Sequence, residues 1–385
     1  MLIINGKVFT MEDDIVYENG YVQFADGIIT GVGDMDDLKS ENTENDILNV
    51  GGAWVMPGLI DAHCHVGICE EKWGEIADDC NESVKPITPQ LRALDAVNPM
   101  DPAFHDAIIA GITSLMTGPG SSNVVGGQAV FLKTRGRNIK NMVQKEPAAM
   151  KVAFGENPKT NFGKQHMMPC TRMAVAGMLR EELYEALEYY RKKKNDELES
   201  RDFKKECWIP VLEKRIPLKA HVHRADDILT AIRIAKEFDL NMTLDHCTEG
   251  HLIAEEIAES GFPAIVGPDL TSRSKLEIKN MSFKTAGILA RSGVKVAIMS
   301  DHPVSLIRYL PVYAGLTVKQ GLRMSDGLKA ITIHAAENCG TDDRVGSLVK
   351  GKDADIAIFT GNPMEIFSKT LYTIIDGEII YRSDE

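Results

Sequence analysis

Eight short apolar runs dominate the middle of this 385-residue chain, and most are followed by a stretch with helical periodicity. They are Leu59 to Val66, Ile112 to Thr117, Gln128 to Thr134, Met150 to Gly155, Leu218 to His223, Met242 to Cys247, Ala264 to Gly267 and Val294 to Asp301. Apolar runs that alternate with amphipathic helices signal parallel β/α units, because a strand buried on both faces needs a helix to carry the chain back. In "ADDILTAIRIAKEFD", for example, Ile228, Ile232 and Ala235 recur at helical spacing, and Asp226 and Asp227 suit the positive end of the helix. The economical architecture is an α/β fold, a (β/α)8 TIM barrel over residues 56–344. Chemistry in such a barrel sits at the C-terminal ends of its strands.

The two ends of the chain read differently. "LIINGKVFT", "YVQFADGIITGVG" and "ILNVGGAWV" are short strands cut by Asn-Gly and Asp-Gly turns, and the texture returns in "VGSLVKGKD", "DADIAIF" and "TLYTIIDGEIIY". Residues 1–55 and 345–385 are therefore expected to pair into one small β-sandwich built from both termini.

The unusual residues gather at strand ends. "PGLIDAHCH" ends the first run, and alternate residues of a strand share a face, so His63 and His65 sit about 7 Å apart and can converge on one divalent ion. Alone, such a pair reads more readily as two hydrogen-bonded histidines without metal. Glu156, however, follows the fourth run, His221 and His223 end the fifth, His246 ends the sixth and Asp301 ends the eighth. All fall on one rim. Scattered histidines would occupy helix surfaces as well, as His105, His251 and His334 are expected to.

With "PGLIDAHCH", "KAHVH", "LDHC", "MSDHP" and the terminal "VGSLVKGKDADIAIF" in view, the sequence closely resembles the amidohydrolase superfamily of metal-dependent hydrolases over essentially its whole length. The nearest likeness is to its imidazolonepropionase-like branch. The resemblance implies that His63 and His65 bind one metal, that His221 and His246 bind a second, and that Asp301 joins the first while acting as base toward water. Two zinc ions per chain are expected, since imidazole ligands favour zinc. For Asp301 the competing reading is a helix N-cap, and for His246 a substrate contact. Many binuclear relatives use a carboxylated lysine at the end of the fourth strand. Here "MKVAFGENPK" offers Glu156, which is expected to bridge the ions or to ligate one; Lys151, five residues earlier, counts to the opposite strand face, and Lys133 is a further alternative. A Glu156 that only turns the chain would leave a site with one ion.

The ligand set implies hydrolysis of linear or cyclic amide bonds in a small, anionic substrate. His223, Arg224, Arg273 and Lys275 are the candidates for gripping it, because cations around a metal pocket on a chain of net charge -13 point to an anionic ligand. Hydrolytic deamination of an aminated ring is the alternative; deaminases of the superfamily usually carry a glutamate three residues after the fifth-strand histidine, where this chain has Arg224, with Asp226 as the nearest substitute. A non-catalytic scaffold would have lost ligands, and none is missing.

The charge balance argues against nucleic acid and anionic membranes as partners. Seven cysteines without a CxxC motif give neither a disulfide framework nor a thiolate zinc finger, so a reducing, cytoplasmic setting is expected, with no signal segment or spanning helix. Two loops belong beside the site: the long connection from Ile68 to Pro99, suited to covering substrate, and the "GPGSSNVVGGQ" segment at 118–128. The charged 172–206 segment reads as a helix with one packed face, and its length leaves a homo-oligomer contact open.

Overall fold

The computed structural model describes residues 1–38, 46–70 and 75–384. Residues 71–74, inside the long connection after the first barrel run, lie outside that set.

Among the described residues, sixteen strands divide between two sheets. From the N-terminus come β1 (Leu2–Phe9), β2 (Val16–Ala25), β3 (Ile28–Asp34), β4 (Ile47–Asn49) and β5 (Trp54–Pro57). The barrel strands follow as β6 (Leu59–Cys64), β7 (Ile112–Thr117), β8 (Val125–Lys133), β9 (Val143–Ala153), β10 (Leu218–Val222), β11 (Met242–His246), β12 (Ala264–Val266) and β13 (Val296–Ile298). The C-terminus returns as β14 (Ile356–Phe359), β15 (Thr370–Ile375) and β16 (Glu378–Arg382). β14 pairs antiparallel with β5, so the two ends of the chain build one sheet in the order β16-β15-β14-β5-β1-β2-β3, with β4 alongside β1. Ile3, Val8, Val22, Phe24, Val55, Ile356 and Ile358 form its core.

The second sheet runs β13-β12-β11-β10-β9-β8-β7-β6. Its ends meet where the Asp301 amide donates to His63 O at 3.1 Å and the His65 amide donates to His302 O at 2.9 Å. Between β6 and β13, the fully buried Asp61 carboxylate accepts from the Ser300 amide and hydroxyl and from the His63 amide. Burial raises Asp61 to about 7 despite these donors. Small and branched side chains such as Ile60, Ala62, Ala129, Ala149, Ile265 and Ala297 fill the barrel interior. The opposite faces, through Leu218, Ala220, Val222, Met242 and Leu244, belong to the larger cluster under the helices.

The expected α/β barrel with a sheet built from both termini is present, with one departure from the parallel pattern: β8 pairs antiparallel with both β7 and β9. The connections at 118–124 and 134–142 are too short for a crossover helix, which needs a dozen or more residues, whereas an antiparallel return does not. This reversal decides the fate of Lys133. The end of β8 points to the rim facing the terminal sheet, where Lys133 Nζ meets Asp353, Asp355 and Asp376 at 2.8, 2.7 and 2.9 Å.

Helix α1 (Pro102–Ile109) follows β6, while α2 (Glu156–Lys164) and α3 (Arg172–Lys194) follow β9. Asp101 caps α1 by accepting from the Ala103 amide, ahead of Pro102 at the first turn, where its missing N–H costs nothing. α3 buries Val175, Leu179, Leu183 and Ala186 along one face. Among the described residues no helix is long and apolar enough to cross a membrane.

Candidate metal centre

Five imidazoles crowd one end of the barrel. Ring centroids are 5.3 Å apart for His63 and His65, 5.6 Å for His63 and His246, 4.3 Å for His221 and His246, and 4.5 Å for His223 and His246. All five are buried. Local backbone explains how they converge. On β10, Lys219 and His221 share the inner face, while Ala220 and Val222 pack outward. At the end of β11 the chain turns through left-handed conformations at His246 (φ 70°) and Cys247 (φ 51°), which swings His246 over the opening just after Asp245. Asp301 (φ 53°), in the turn three residues beyond β13, is left-handed as well.

The outward ring nitrogens are tied down. His65 Nδ1 lies 2.8 Å from Gly118 O, and His246 Nδ1 lies 2.8 Å from Gly267 O. A carbonyl can only accept, so each Nδ1 carries the proton and each Nε2 turns its lone pair inward. Asp245 Oδ2 faces His63 Nδ1 at 3.0 Å, a charge contact that likewise favours a proton on that nitrogen. Asp245 is itself held by Lys219 at 3.3 Å and by the Thr243 hydroxyl at 3.0 Å. Inside the ring of nitrogens, Asp301 Oδ1 stands 3.3 Å from the Nε2 atoms of both His63 and His65. Ligand atoms of His63, His246 and Asp301 lie within 4.8 Å of one another, as do those of His221, His223 and His246.

Electrostatics favour a cation here. Burial and neighbouring positive groups keep His63, His221, His223 and His246 below the usual imidazole range, so their lone pairs are free. Burial alone would raise Asp301, and the positive charge that holds it well below the carboxylate range has to come from the cluster, from His246, His63 and His65 when protonated or from a bound cation when they are neutral. Neutral imidazoles and an ionised carboxylate aimed at one point make a donor set suited to divalent metal. His63, His65, His221, His246 and Asp301 are thus brought together, with His223 beside them, its Nδ1 2.7 Å from the Thr248 hydroxyl. No helix begins at Asp301; the next helical turn is Ile307–Tyr309.

Glu156 is corrected. β9 ends at Ala153, Gly155 turns at φ 81°, and Glu156 opens α2, so counting strand faces past Ala153 does not apply. Its carboxylate leaves the cluster and accepts from the Glu277 amide at 3.3 Å. The lysine reaches the site instead. Lys151 Nζ is 3.2 Å from His63 Nε2 and 4.0 Å from Asp245 Oδ2, in a buried position where desolvation pulls it down to about 8.

The proposed substrate cations fare unevenly. Arg224 is half-exposed and clasps Asp226 through two hydrogen bonds of 2.9 Å, and Arg273 donates to the Lys279 and Met281 carbonyls. Arg224 is neutralised by its carboxylate partner, Arg273 is turned onto backbone carbonyls, and neither lines the cavity. Lys275 does line it, with its Nζ 2.6 Å from Glu277 Oε1 and 3.0 Å from Asn157 Oδ1. Glu277 was not anticipated. Nearly fully buried, it directs Oε1 toward His223 Nε2 (3.6 Å) and His221 Nε2 (3.8 Å). The cavity, of about 300 Å³, is walled by His65, His221, His223, His246 and Asp301 and rimmed by Asp78, Cys80 and Asn81 of the long loop and by Gly120 and Ser121.

The profile of the amidohydrolase family matches residues 54–380, which takes in this whole centre. An amidohydrolase from Thermotoga maritima superposes with a TM-score of 0.94 at 38% identity, covering 99% of this chain and all of that one. Amidohydrolase tasK of Hapsidospora irregularis is 25% identical over 91% of this chain, which spans only 39% of the length of that relative. An imidazolonepropionase from Cupriavidus pinatubonensis is 22% identical over 81% of this chain and 76% of its own. Terminal sheet, barrel and histidine-lined centre thus come with a family match across most of the sequence, and the chain belongs to the amidohydrolase family.

Proposed function

We propose that the chain is a metal-dependent hydrolase of linear or cyclic amide bonds in a small substrate, with His63, His65, Lys151, His221, His246 and Asp301 holding two divalent ions, of which zinc best suits the imidazoles. The observation that carries this reading is the inward convergence of buried, neutral imidazoles on Asp301, with outer nitrogens fixed by Gly118, Gly267 and Asp245. A divalent ion bound there lowers the pKa of water toward ~7 and polarises a carbonyl. Asp301 takes the proton from the attacking water at its carboxylate and returns it to the departing nitrogen. Asp245 keeps His63 in the tautomer that presents Nε2, a role that usually costs 10- to 100-fold in metal affinity or activity when lost.

Lys151 rather than Glu156 would supply the further ligand in this reading. Its amine adds to carbon dioxide, a C–N bond forms, one proton leaves, and the product is a carboxylate where an ammonium would repel the ions. Desolvation to about 8 supports the step, because the neutral amine is the nucleophile. Substrate specificity falls to Lys275, His223 and Glu277. Recognition of an anionic substrate, such as an N-acyl amino acid or a dipeptide, falls to Lys275, which alone of the three proposed cations lines the cavity and shares its charge with Glu277 2.6 Å away. The free cysteines support a reducing, cytoplasmic setting.

The test is Asp301→Asn, assayed against amides, dipeptides and cyclic ureides with the fold checked by circular dichroism. Turnover falls at least ~10³-fold, about 4 kcal/mol of barrel-site catalysis; near-normal turnover in a folded variant rejects Asp301 as base.

Deamination stands as a second reading because of Glu277. Asp226 pairs with Arg224 and Arg172 and cannot serve as the acid, but Glu277 reaches the histidines that the fifth strand presents. Ammonia release from aminated rings, abolished by Glu277→Gln, favours it over amide cleavage; activity on amides alone rejects it.

A further inference from the structure

The long connection after β6 carries chemistry of its own. Cys69 and Asp78 face each other across a single antiparallel bridge, flanked by hydrogen bonds from the Glu70 amide to Ala77 O and from the Asp79 amide to Ile68 O. Asp78 then turns the chain by accepting from the Cys80 amide at 3.1 Å through one carboxylate oxygen. The Cys80 carbonyl in turn accepts from the Gly120 amide at 2.8 Å, fastening the bend to the opposite wall of the cavity. This folding brings Cys69 Sγ, Cys80 Sγ and a carboxylate oxygen of Asp78 within 4.8 Å of one another. Cys80 is buried, Cys69 half-buried and Asp78 exposed, so the trio spans from the wall of the cavity to solvent. All three residues line that cavity, on its outer side from His221, His223 and His246.

We propose that Cys69, Asp78 and Cys80 form a separate thiophilic metal site at the mouth of the cavity, taking a zinc-class divalent ion with two thiolates, one carboxylate and one position left open. The residue types match zinc's preference for sulfur with a single oxygen donor, and tetrahedral coordination by three protein groups leaves a fourth direction free. The two sulfurs are both free thiols, so each is open to a metal ion. The convergence of Asp78 separates this arrangement from a disulfide, to which a third ligand contributes nothing. The site shares no ligand with the histidine centre, so it stands or falls independently of the catalytic reading.

The experiment uses the full chain expressed with cobalt(II) and kept reduced. Sulfur-to-cobalt charge transfer absorbs in the near ultraviolet, and the ligands assigned to the histidine centre contain no sulfur. The proposal expects the band in the wild-type protein, its loss in Cys69→Ser and in Cys80→Ser with one fewer ion per chain, and its retention in Cys170→Ser. The wild-type spectrum keeps the test decisive even if a variant misfolds. Absence of the band from cobalt-loaded wild type, its persistence in Cys80→Ser, or recovery of Cys69 and Cys80 joined as a disulfide in the metal-loaded protein each overturns the proposal.

Discussion

Two lysines, each 1% exposed, sit at opposite rims of the barrel and meet opposite fates. Lys133, at the rim facing the terminal sheet, touches three carboxylates at 2.7–2.9 Å, and although burial opposes it, Asp355 and Asp353 raise it above the usual lysine range. Lys151, among the histidines, has one carboxylate at 4.0 Å and is pulled down to about 8 by burial. Equal burial thus accompanies a locked ammonium in one place and a lysine that gives up its proton more readily in the other. What differs is the number of anions within reach. The first lysine joins the C-terminal segment to the barrel; the second lies where an extra positive charge is unwelcome to a bound cation.

Substitution of each lysine tests that contrast. Lys151→Ala is expected to lower turnover by at least ~10³-fold while leaving the thermal transition close to wild type, because no ion pair of comparable strength is lost. Unchanged turnover would erase the distinction between the rims. Lys133→Met should do the reverse. It strands buried carboxylates and costs about 3–5 kcal/mol in denaturant unfolding, with turnover per folded molecule nearly intact. A Lys133→Met protein of normal stability would show that the carboxylates have other partners.

Smaller effects refine the picture on the Lys151 side. Asp245→Asn keeps the shape but not the charge opposite His63, and metal titration should reveal ~10- to 100-fold weaker binding; unaltered affinity would mean that His63 is oriented by packing alone. Glu156→Ala is expected to do least. It removes one acceptor from the Glu277 amide, about 1 kcal/mol of stability at most, and should leave the ion count as it was. Loss of an ion in that variant would return Glu156 to the ligand set.

Much of the centre could be read from the sequence because its histidines end strands, and strand periodicity is local. His63 and His65 needed only alternation, and His221, His246 and Asp301 needed only the positions of the runs. Lys151 escaped because parity was counted through Gly155, although β9 stops at Ala153 and the chain turns before Glu156. The reversed β8 was legible in the short segment at 118–124, whose length forbids a crossover helix. Glu277 left no such trace. It lies in the same loop as Arg273 and Lys275, and only tertiary packing buries the acid, points Arg273 at the Lys279 and Met281 carbonyls and leaves Lys275 on the cavity. Asp245 was visible in "LDHC", but its partnership with His63 joins strands that are distant in sequence.

The central claim, that Lys151 completes a two-ion centre, is tested most directly by counting metal. Elemental analysis of fully loaded protein in a Cys80→Ser background, where the loop thiols contribute no ion, should give two ions per chain with Lys151 intact and no more than one in Lys151→Ala. Two ions retained without the lysine, or a single ion in its presence, would contradict the account.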